Sequence, residues 1–303
     1  LSTARDTTLV MIQLLVQAAR DEAYAPLARA WSTKLAAGIA ATLRCPARSA
    51  RFTVELLAGL ALASTMAGRA LELDILNREI LAFALGGETT EDHGRWHRAF
   101  RAASAPQAAQ DTELLARSSA RAALDAGIAL LAEAGAEALT YRHIAKRASV
   151  STSSVLYSFP NRGTLVMALY REVHRRFARP FTDRRQDEAQ SDQALAALFA
   201  RMIVEERAGN APLVLTSCEL FLAAAWEAEL SGHAWAMRLA RGAWTARDGG
   251  AGDFRAHVLS LWSLGVSMVH LAQHHADPQA ALSESLSSGL TILGRPRAAA
   301  PRG

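Results

Sequence analysis

Apolar residues recur every three or four positions along most of the chain, and runs that alternate apolar and polar residues are missing from the sequence. Leu124, Ile128 and Leu131 show the helical spacing, and Gly135 follows them as a stop signal. Proline and glycine divide the pattern into segments, with breaks at Pro46, Gly86–Gly87, Pro106, Gly135, Pro160, Pro180, Gly209–Pro212, Gly249–Gly252 and Pro278. The sequence therefore predicts an all-α fold.

Residues 111–178, called the head below, predict a series of short helices followed by a longer one. After a first helix that stops at Gly135, Thr140 can cap a second helix over YRHIAKRA. Ser151 can cap a third helix over TSSVLYSF, and a longer helix begins near Arg162. Two short helices joined by the tight turn SVS are typical of a helix-turn-helix.

The third of these helices begins among hydroxyl side chains, between Ser149 and Ser154. The first turn of a recognition helix faces base edges and phosphates, where small hydroxyl side chains donate or accept hydrogen bonds. Val155 and Phe159 are four positions apart and are expected to face the core. The alternative is a polar loop followed by an ordinary short helix.

The charge of the chain supports the first interpretation. The net charge is +4, and residues 111–180 alone carry ten Lys/Arg against six Asp/Glu. The excess positive charge therefore lies in the head, as expected for a part that meets a polyanion, although such a run can also be a solvated surface.

Other classes of protein find little support. The two cysteines, Cys45 and Cys218, do not indicate a disulfide framework, so we expect a reducing cytoplasm and no membrane. The longest uncharged run, 256–276, contains four histidines, which favours a buried helix over one that faces lipid. We find no Ser/His/Asp set, metal cluster or phosphate loop at useful spacing in the sequence. An enzyme or carrier is thus disfavoured, and we predict no catalytic residue, metal or cofactor.

The stretch ALDAGIALLAEAGAEALTYRHIAKRASVSTSSVLYSFPNRGTL, from Ala123 to Leu165, resembles the DNA-binding domain of the Tet repressor family without a gap. The shared features include Gly135, Thr140 and the aromatic pair Tyr157 and Phe159. The departures are Ser149 for a usual glycine, Leu156 for a tyrosine, Ser158 for a histidine and Gly163 for a glutamate. Ser149 is expected to strain the turn if its φ is positive.

The resemblance implies that the partner is double-stranded DNA, and it gives a set of contact candidates. They are Thr140, Ser151, Thr152, Ser153, Tyr157 and Arg162, with Arg142 and Lys146 as weaker ones. The alternative for these residues is solvated helix surface, and for Tyr157 it is the core.

The resemblance also implies a helical domain after the head that binds a small, mostly apolar effector ligand and dimerises. Residues 179–296, called the second regulatory domain, fit this description, and 297–303 form a tail. The ligand-binding candidates are Met202, Cys218, Phe221, Trp226, His257 and Trp262. The alternative for each is a simple core position.

Residues 1–88, called the first regulatory domain, resemble the second, and 89–110 read as a linker with a short helix over GRWHRAF. The matches are Leu9–Val10 with Leu213–Val214 and Trp31 with Trp235 at an offset of 204, and Phe52 with Phe254 and Met66 with Met268 at an offset of 202. This pattern indicates an internal repeat. Two unrelated Ala/Leu-rich stretches are the alternative.

The repeat predicts a tandem fusion of two units, with a first helix-turn-helix ahead of Leu1. Helices at 52–69 and 72–85 would pair with those at 254–275 and 278–293, forming a pseudo-dimer within one chain; a homodimer is the other possibility. The predicted function is a transcriptional repressor that an apolar ligand releases from DNA. The alternative is a DNA-binding protein whose regulatory domains serve only assembly.

Overall fold

The computed structural model describes residues 2–86, 93–104, 118–182, 197, 199–201, 203–205, 212–242 and 251–294. Within these ranges every regular element is a helix, so the all-α prediction is confirmed. The tail, most of the segment 183–211 and part of the linker lie outside the described residues.

The first regulatory domain consists of four α-helices and one 3-10 turn. They are α1 (Ser2–Arg20), the 3-10 turn Glu22–Tyr24, α2 (Ala25–Leu43), α3 (Ala47–Leu62) and α4 (Ala70–Leu85). Helix α2 ends at Arg44, whose left-handed conformation (φ 48°) closes the last turn. Helix α3 begins at Ala47, directly after its N-cap Pro46, and ends at Leu62. Both ends therefore come earlier than in the predicted span 52–69.

The linker segment contains α5 (Arg95–Ala103), as the motif GRWHRAF predicts. This helix does more than connect two domains, since its His97 is buried against the second regulatory domain. His97 Nε2 lies 3.2 Å from the Leu239 carbonyl oxygen, and the His97 ring stacks on His257 with centroids 4.1 Å apart. The short helix predicted within residues 89–110 is therefore present, and His97 packs it against the second regulatory domain.

The head and the second regulatory domain complete the fold. The head has α6 (Ser118–Ala134), the 3-10 turn Ala136–Ala138, α7 (Tyr141–Ala148), α8 (Thr152–Ser158) and α9 (Arg162–Thr182). The second regulatory domain has α10 (Leu213–Trp226), the 3-10 turn Ala228–Leu230, α11 (Ser231–Ala240), α12 (Ala251–Gln273) and α13 (Pro278–Gly294). Helix α10 is buried on nearly all sides, as its apolar composition favours.

Helices α3 and α12 cross with their backbones in contact. A Cβ atom added to Gly59 would lie 1.9 Å from the Leu261 carbonyl oxygen, and one added to Gly265 would lie 1.8 Å from the Glu55 carbonyl oxygen. Only glycine fits at such distances. Positions 59 and 265 differ by 206, and so do 55 and 261, so the two contacts are reciprocal.

The loops that follow α3 and α12 repeat this reciprocity. Ala67 N donates to the Ala224 carbonyl oxygen (3.3 Å), and His274 Nε2 lies 2.8 Å from the Ala18 carbonyl oxygen. The two acceptors, at 18 and 224, are again 206 positions apart. Gly68 (φ 74°) and His274 (φ 46°), also separated by 206, are both left-handed. The backbone thus takes the same turn at both places.

A third pair of contacts ties each loop to the opposite domain. Ser231 Oγ donates to the Ala67 carbonyl oxygen (2.6 Å), and Arg29 Nη1 donates to the Gln273 carbonyl oxygen (2.5 Å). Positions 67 and 273 differ by 206 as well. The acceptors therefore repeat at an offset of 206, while the donors of this last pair, Ser231 and Arg29, are 202 positions apart; the sequence matches gave 204 and 202.

Candidate nucleic-acid interface

The head is a three-helix unit built around the short helices α7 and α8. Ile144 of α7 and Val155 of α8 are buried, together with Phe159 just after α8. They pack on Leu124 and Ile128 of α6, as the spacing predicted. Tyr141 OH donates to the Phe159 carbonyl oxygen (2.8 Å), which fixes the end of α8 against the start of α7.

Each short helix begins at a residue whose side chain caps it. Thr140 Oγ1 accepts a hydrogen bond from His143 N (3.2 Å), and Ser151 Oγ accepts one from Ser154 N (3.0 Å). These capping bonds confirm the caps predicted at both positions. Because Ser151 occupies the Ncap, the positive end of the α8 dipole faces the side on which its hydroxyls lie.

The turn between the short helices contains a strained residue. Ser149 is left-handed, with φ 54° and ψ 38°, and its N–H closes α7 by bonding to Ala145 and Lys146 carbonyl oxygens. A side chain in this region costs about 1 kcal/mol relative to glycine. The strain expected from the departure at Ser149 is therefore present.

One face of α8 is turned outward. Thr152, Ser153 and Tyr157 are exposed, and 75% of Tyr157 is accessible to solvent. Leu156 beside them is also exposed, whereas Ser158 is buried and donates to the Ser154 carbonyl oxygen. The alternative that Tyr157 belongs to the core is thereby excluded.

Basic side chains border this face from α7. Arg142 and Lys146 are exposed, one turn apart on the same helix. Arg147 differs, because its guanidinium forms a bidentate pair with Glu133 of α6 (2.6 and 2.7 Å). The exposed hydroxyls, the phenol and the two cations have suitable chemistry for a nucleic-acid backbone and groove.

Arg162 is engaged elsewhere. Its guanidinium pairs with Glu227 at 3.0 Å and donates to the Leu139 carbonyl oxygen at 3.0 Å. It lies at the start of α9, where it joins the head to the second regulatory domain. This placement differs from the contact to DNA that the resemblance implied for Arg162.

A second connection anchors the head at Ala136, whose carbonyl oxygen also accepts from Arg162 at 3.4 Å. Glu219 of α10 accepts from the Ala136 N–H at 3.1 Å and from Arg20 Nη2 at 2.6 Å. Arg20 also donates to the Leu131 and Ala132 carbonyl oxygens at the end of α6, both at 2.7 Å. Glu219 and Arg20 thus hold together the head and both regulatory domains, which no local pattern in the sequence indicated.

The ligand-binding candidates are spread over several environments. Cys218 is buried beside Met268, and the Phe221 carbonyl oxygen accepts from Thr65 Oγ1 of the first regulatory domain. Trp226 is 65% exposed at the end of α10, and Met202 lies outside the described residues.

Trp262 and His257, the other two ligand candidates, lie on α12. Trp262 is fully buried at the crossing of α3 and α12, where its Nε1 donates to Glu55 Oε2 at 3.0 Å. His257 is fully buried too, and its Nδ1 lies 3.1 Å from the Arg241 carbonyl oxygen. His257 is therefore next to the end of α11, and Trp262 belongs to the contact between the two regulatory domains.

Histidine pairs provide no metal centre in the described part of the chain. No cluster of three or more His, Cys, Asp or Glu side chains there has the arrangement of a metal site. His270 instead contacts Ser285 Oγ at 3.0 Å. Among the described helices, none combines the length and the apolar character needed to cross a bilayer.

The geometry of α6, α7 and α8 defines a helix-turn-helix protein with an exposed recognition helix. Residues 123–169 match the family described as bacterial regulatory proteins, tetR family. The chain accordingly carries a tetR-family DNA-binding domain over these residues. Neither the search of curated proteins nor that of solved structures found a match to this chain.

Proposed function

We propose that the protein is a repressor that leaves its DNA when a small, mostly apolar ligand binds the second regulatory domain. The observation that carries the proposal is the double anchoring of the head, through Arg162 with Glu227 and through Glu219 with Ala136. A head fixed at two points must follow any shift of the helices that hold it. Its action is binding rather than catalysis.

Helix α9 is the mechanical link in this proposal. It begins at Arg162 in the head and packs on α10 and α11 along its length. Tyr170 OH donates to the Leu220 carbonyl oxygen, so α9 and α10 are joined at mid-length. A ligand that displaces α9 would reorient α8, and coupling of this kind is typically worth about 1–3 kcal/mol.

The two regulatory domains form an intrachain pseudo-dimer in this proposal. In a two-fold interface, residue i contacts j and the equivalent of j contacts the equivalent of i. The crossing at Gly59 and Gly265 follows that rule at offset 206, and the acceptors of the other two pairs of contacts keep the same offset. They support two repeats of one unit and favour this arrangement over a chance similarity of Ala-rich helices.

A further consequence concerns the face of α1. Val10 and Leu14 are 55% and 46% exposed, whereas the residues 206 positions later, Thr216 and Leu220, are buried under the head and α9. We propose that the helix-turn-helix expected ahead of Leu1 covers this apolar face as residues 118–182 cover α10. Two such heads would read two unlike half-sites.

Selection of bound fragments from random duplex DNA tests the proposal. The selected duplex, labelled with a fluorophore, is then titrated with the chain in the presence of a library of lipophilic compounds. We expect a compound that both raises the melting temperature of the chain and weakens its DNA binding. Compounds that stabilise the chain without changing its DNA affinity would refute ligand release.

The competing function, assembly without an effector, predicts a different pattern. In that case no compound of the library stabilises the chain, while the salt-dependent affinity for duplex DNA remains. Helix α10 is mostly buried and Trp226 at its end is exposed, and neither feature favours one of the two functions, so the compound screen decides between them.

A further inference from the structure

Two arginines at the end of α11 are buried without a carboxylate partner. Arg238 is fully buried and Arg241 is 6% exposed. Neither forms an ion pair with any residue that the structure describes. Burial, together with repulsion between the two guanidinium groups, lowers the pKa of Arg238 to about 9, and burial lowers that of Arg241 to about 10. Both side chains therefore remain charged near neutral pH.

The two arginines differ in how well their N–H groups are satisfied. Arg238 donates to the Ala63 carbonyl oxygen, Ser64 Oγ and Asn77 Oδ1 at 2.6–2.8 Å, so it joins α11 to the first regulatory domain. Arg241 makes a single long side-chain hydrogen bond, 3.4 Å to the Ser260 carbonyl oxygen. A guanidinium has five N–H donors, so Arg241 keeps most of its capacity unused.

The surroundings of Arg241 add to this imbalance. Its Nε and the Nε2 of His257 are both buried with no hydrogen-bond partner in the described part of the protein. The guanidinium lies 5.9 Å from the Phe177 ring centroid, and it interacts electrostatically with Cys218, His174 and Arg238. Buried charges in proteins are normally paired, because an unpaired one costs several kcal/mol.

The backbone holds Arg241 in this place. Gly242 follows it with φ 86°, and a Cβ atom there would lie 2.4 Å from the Ala256 carbonyl oxygen. The end of α11 is therefore pressed against α12, which leaves the Arg241 side chain between α12 and Phe177 of α9. Phe177 is itself only partly buried.

We propose that Arg241, with His257 beside it, binds the carboxylate of a small amphipathic ligand whose apolar part lies against Phe177 and Cys218. A carboxylate can accept two parallel hydrogen bonds from a guanidinium. The ligand would compete with the Phe177 ring for Arg241 and so displace α9. This inference rests on the proposed function and specifies the chemical class of its ligand.

The site is absent from the first regulatory domain. The positions 206 residues before Arg238 and Arg241 are Ser32 and Leu35, which carry no charge. The two domains share their helices and differ at this point, which is a pattern expected of a ligand site rather than of a requirement for folding. One chain would therefore bind one carboxylate.

The test compares acids with matched neutral amides on the full chain. Decanoate and 1-naphthoate are titrated by calorimetry alongside decanamide and 1-naphthamide. We expect at least one carboxylate to bind at least tenfold more tightly than its amide. Equal affinity of acid and amide, or no binding by either carboxylate at millimolar concentration, would overturn the proposal.

Variants locate the site. Arg241→Met should lower the carboxylate affinity at least tenfold and leave the melting temperature of the ligand-free chain unchanged or raised, because a buried unpaired charge is removed. Arg241→Lys keeps the charge and should retain part of the affinity, which provides the comparison if the methionine variant does not fold. Arg78→Met, in an exposed pair with Asp74, is the control and should bind like the wild type. Unchanged carboxylate binding in Arg241→Met would overturn the assignment.

DNA release is measured separately so that the two proposals can fail independently. Carboxylate binding at Arg241 without any change in DNA affinity would support the site and refute ligand release. Release of DNA by neutral compounds alone, without carboxylate binding, would support ligand release and refute the site.

Discussion

The first and second regulatory domains have the same order of helices, yet they differ in what covers them and in what they bury. The second has the head packed on α10, and its interior contains two arginines that form no ion pair with any described residue. The first exposes Val10 and Leu14 on α1, and residues 1–88 contain no histidine. The shared features lie where the domains contact each other, and the differences lie where the head and ligand are expected to bind. The proposed account therefore assigns assembly and sensing to separate residues of one architecture.

The crossing of α3 and α12 should be the most sensitive point of that shared architecture. Gly265→Leu places a side chain where a Cβ alone would lie 1.8 Å from the Glu55 carbonyl oxygen, so the helices must separate. We expect a loss of about 3 kcal/mol or more in the free energy of unfolding, measured in urea. Gly38→Ala is the control, since nothing lies within 4 Å of the added Cβ, and it should stabilise α2 by up to about 1 kcal/mol. A tolerated leucine at 265 would contradict the close crossing.

The second-largest effect on stability is expected at Glu219, which anchors the head and has no equivalent in the first regulatory domain. Glu219→Gln removes the charge that Arg20 and the Ala136 N–H share, and we expect a loss of about 2 kcal/mol in unfolding free energy. The position 206 residues earlier is Gln13, which is exposed, so Gln13→Ala should change stability by less than about 0.5 kcal/mol. Similar losses in both variants would show that the two faces do not differ as described.

The pH dependence of stability should reflect the buried histidines of the second regulatory domain and of α9. Burial, with repulsion from Arg241, lowers the pKa of His174 to about 4, and burial with the charges of His97 and Arg238 lowers that of His257 well below its usual value. In the unfolded chain both titrate near 6.5. The unfolded state therefore binds protons first as the pH falls, so stability is full above about pH 6.5 and decreases below it.

The measurement is the free energy of unfolding at pH 7.5 and pH 5.5. The expected decrease is about 1 kcal/mol for each histidine that stays neutral in the folded state over this interval. His257→Gln should reduce the difference between the two pH values. Stability that increases toward pH 5.5 would contradict the lowered pKa of these groups.

The smallest expected effect concerns the turn before α8. Ser149→Gly relieves the left-handed strain and should raise the unfolding free energy by about 0.5–1 kcal/mol. Ser153→Gly, in the first turn of α8, should instead lower it by about 0.5–1 kcal/mol. If both glycine variants were destabilised, the positive φ of Ser149 would not be a source of strain.

The head was predictable because its signals are local. The caps at Thr140 and Ser151, and the inward positions of Ile144 and Val155, follow from spacings of three and four residues. The class of DNA-binding domain followed from the same short stretch. Boundaries of α3 and α10 were less accurate, since a long apolar run does not indicate where the helix ends.

The remaining features depend on residues far apart in the chain. Glu219 meets Arg20 across 199 positions, and Arg238 meets Asn77 across 161. Arg162 matched a family position for DNA contact, whereas in the structure it pairs with Glu227 of the second regulatory domain. The sequence around Glu227 has no signature that indicates this pair. The offset of 206 is visible only through contacts, because the matching residues of the repeat have drifted by up to one helical turn.

The chain provides its own comparison for the central claim, that the α7–α8 face of the head binds duplex DNA. It has only two lysines, Lys146 on that face and Lys34 exposed on α2 of the first regulatory domain. The decisive measurement is the salt dependence of the affinity for a selected duplex with Lys146→Ala and Lys34→Ala. Lys146→Ala should weaken binding and reduce the slope of log K against log[salt] by about 1, while Lys34→Ala should behave as the wild type. Equal slopes in the wild type and both variants would contradict the claim.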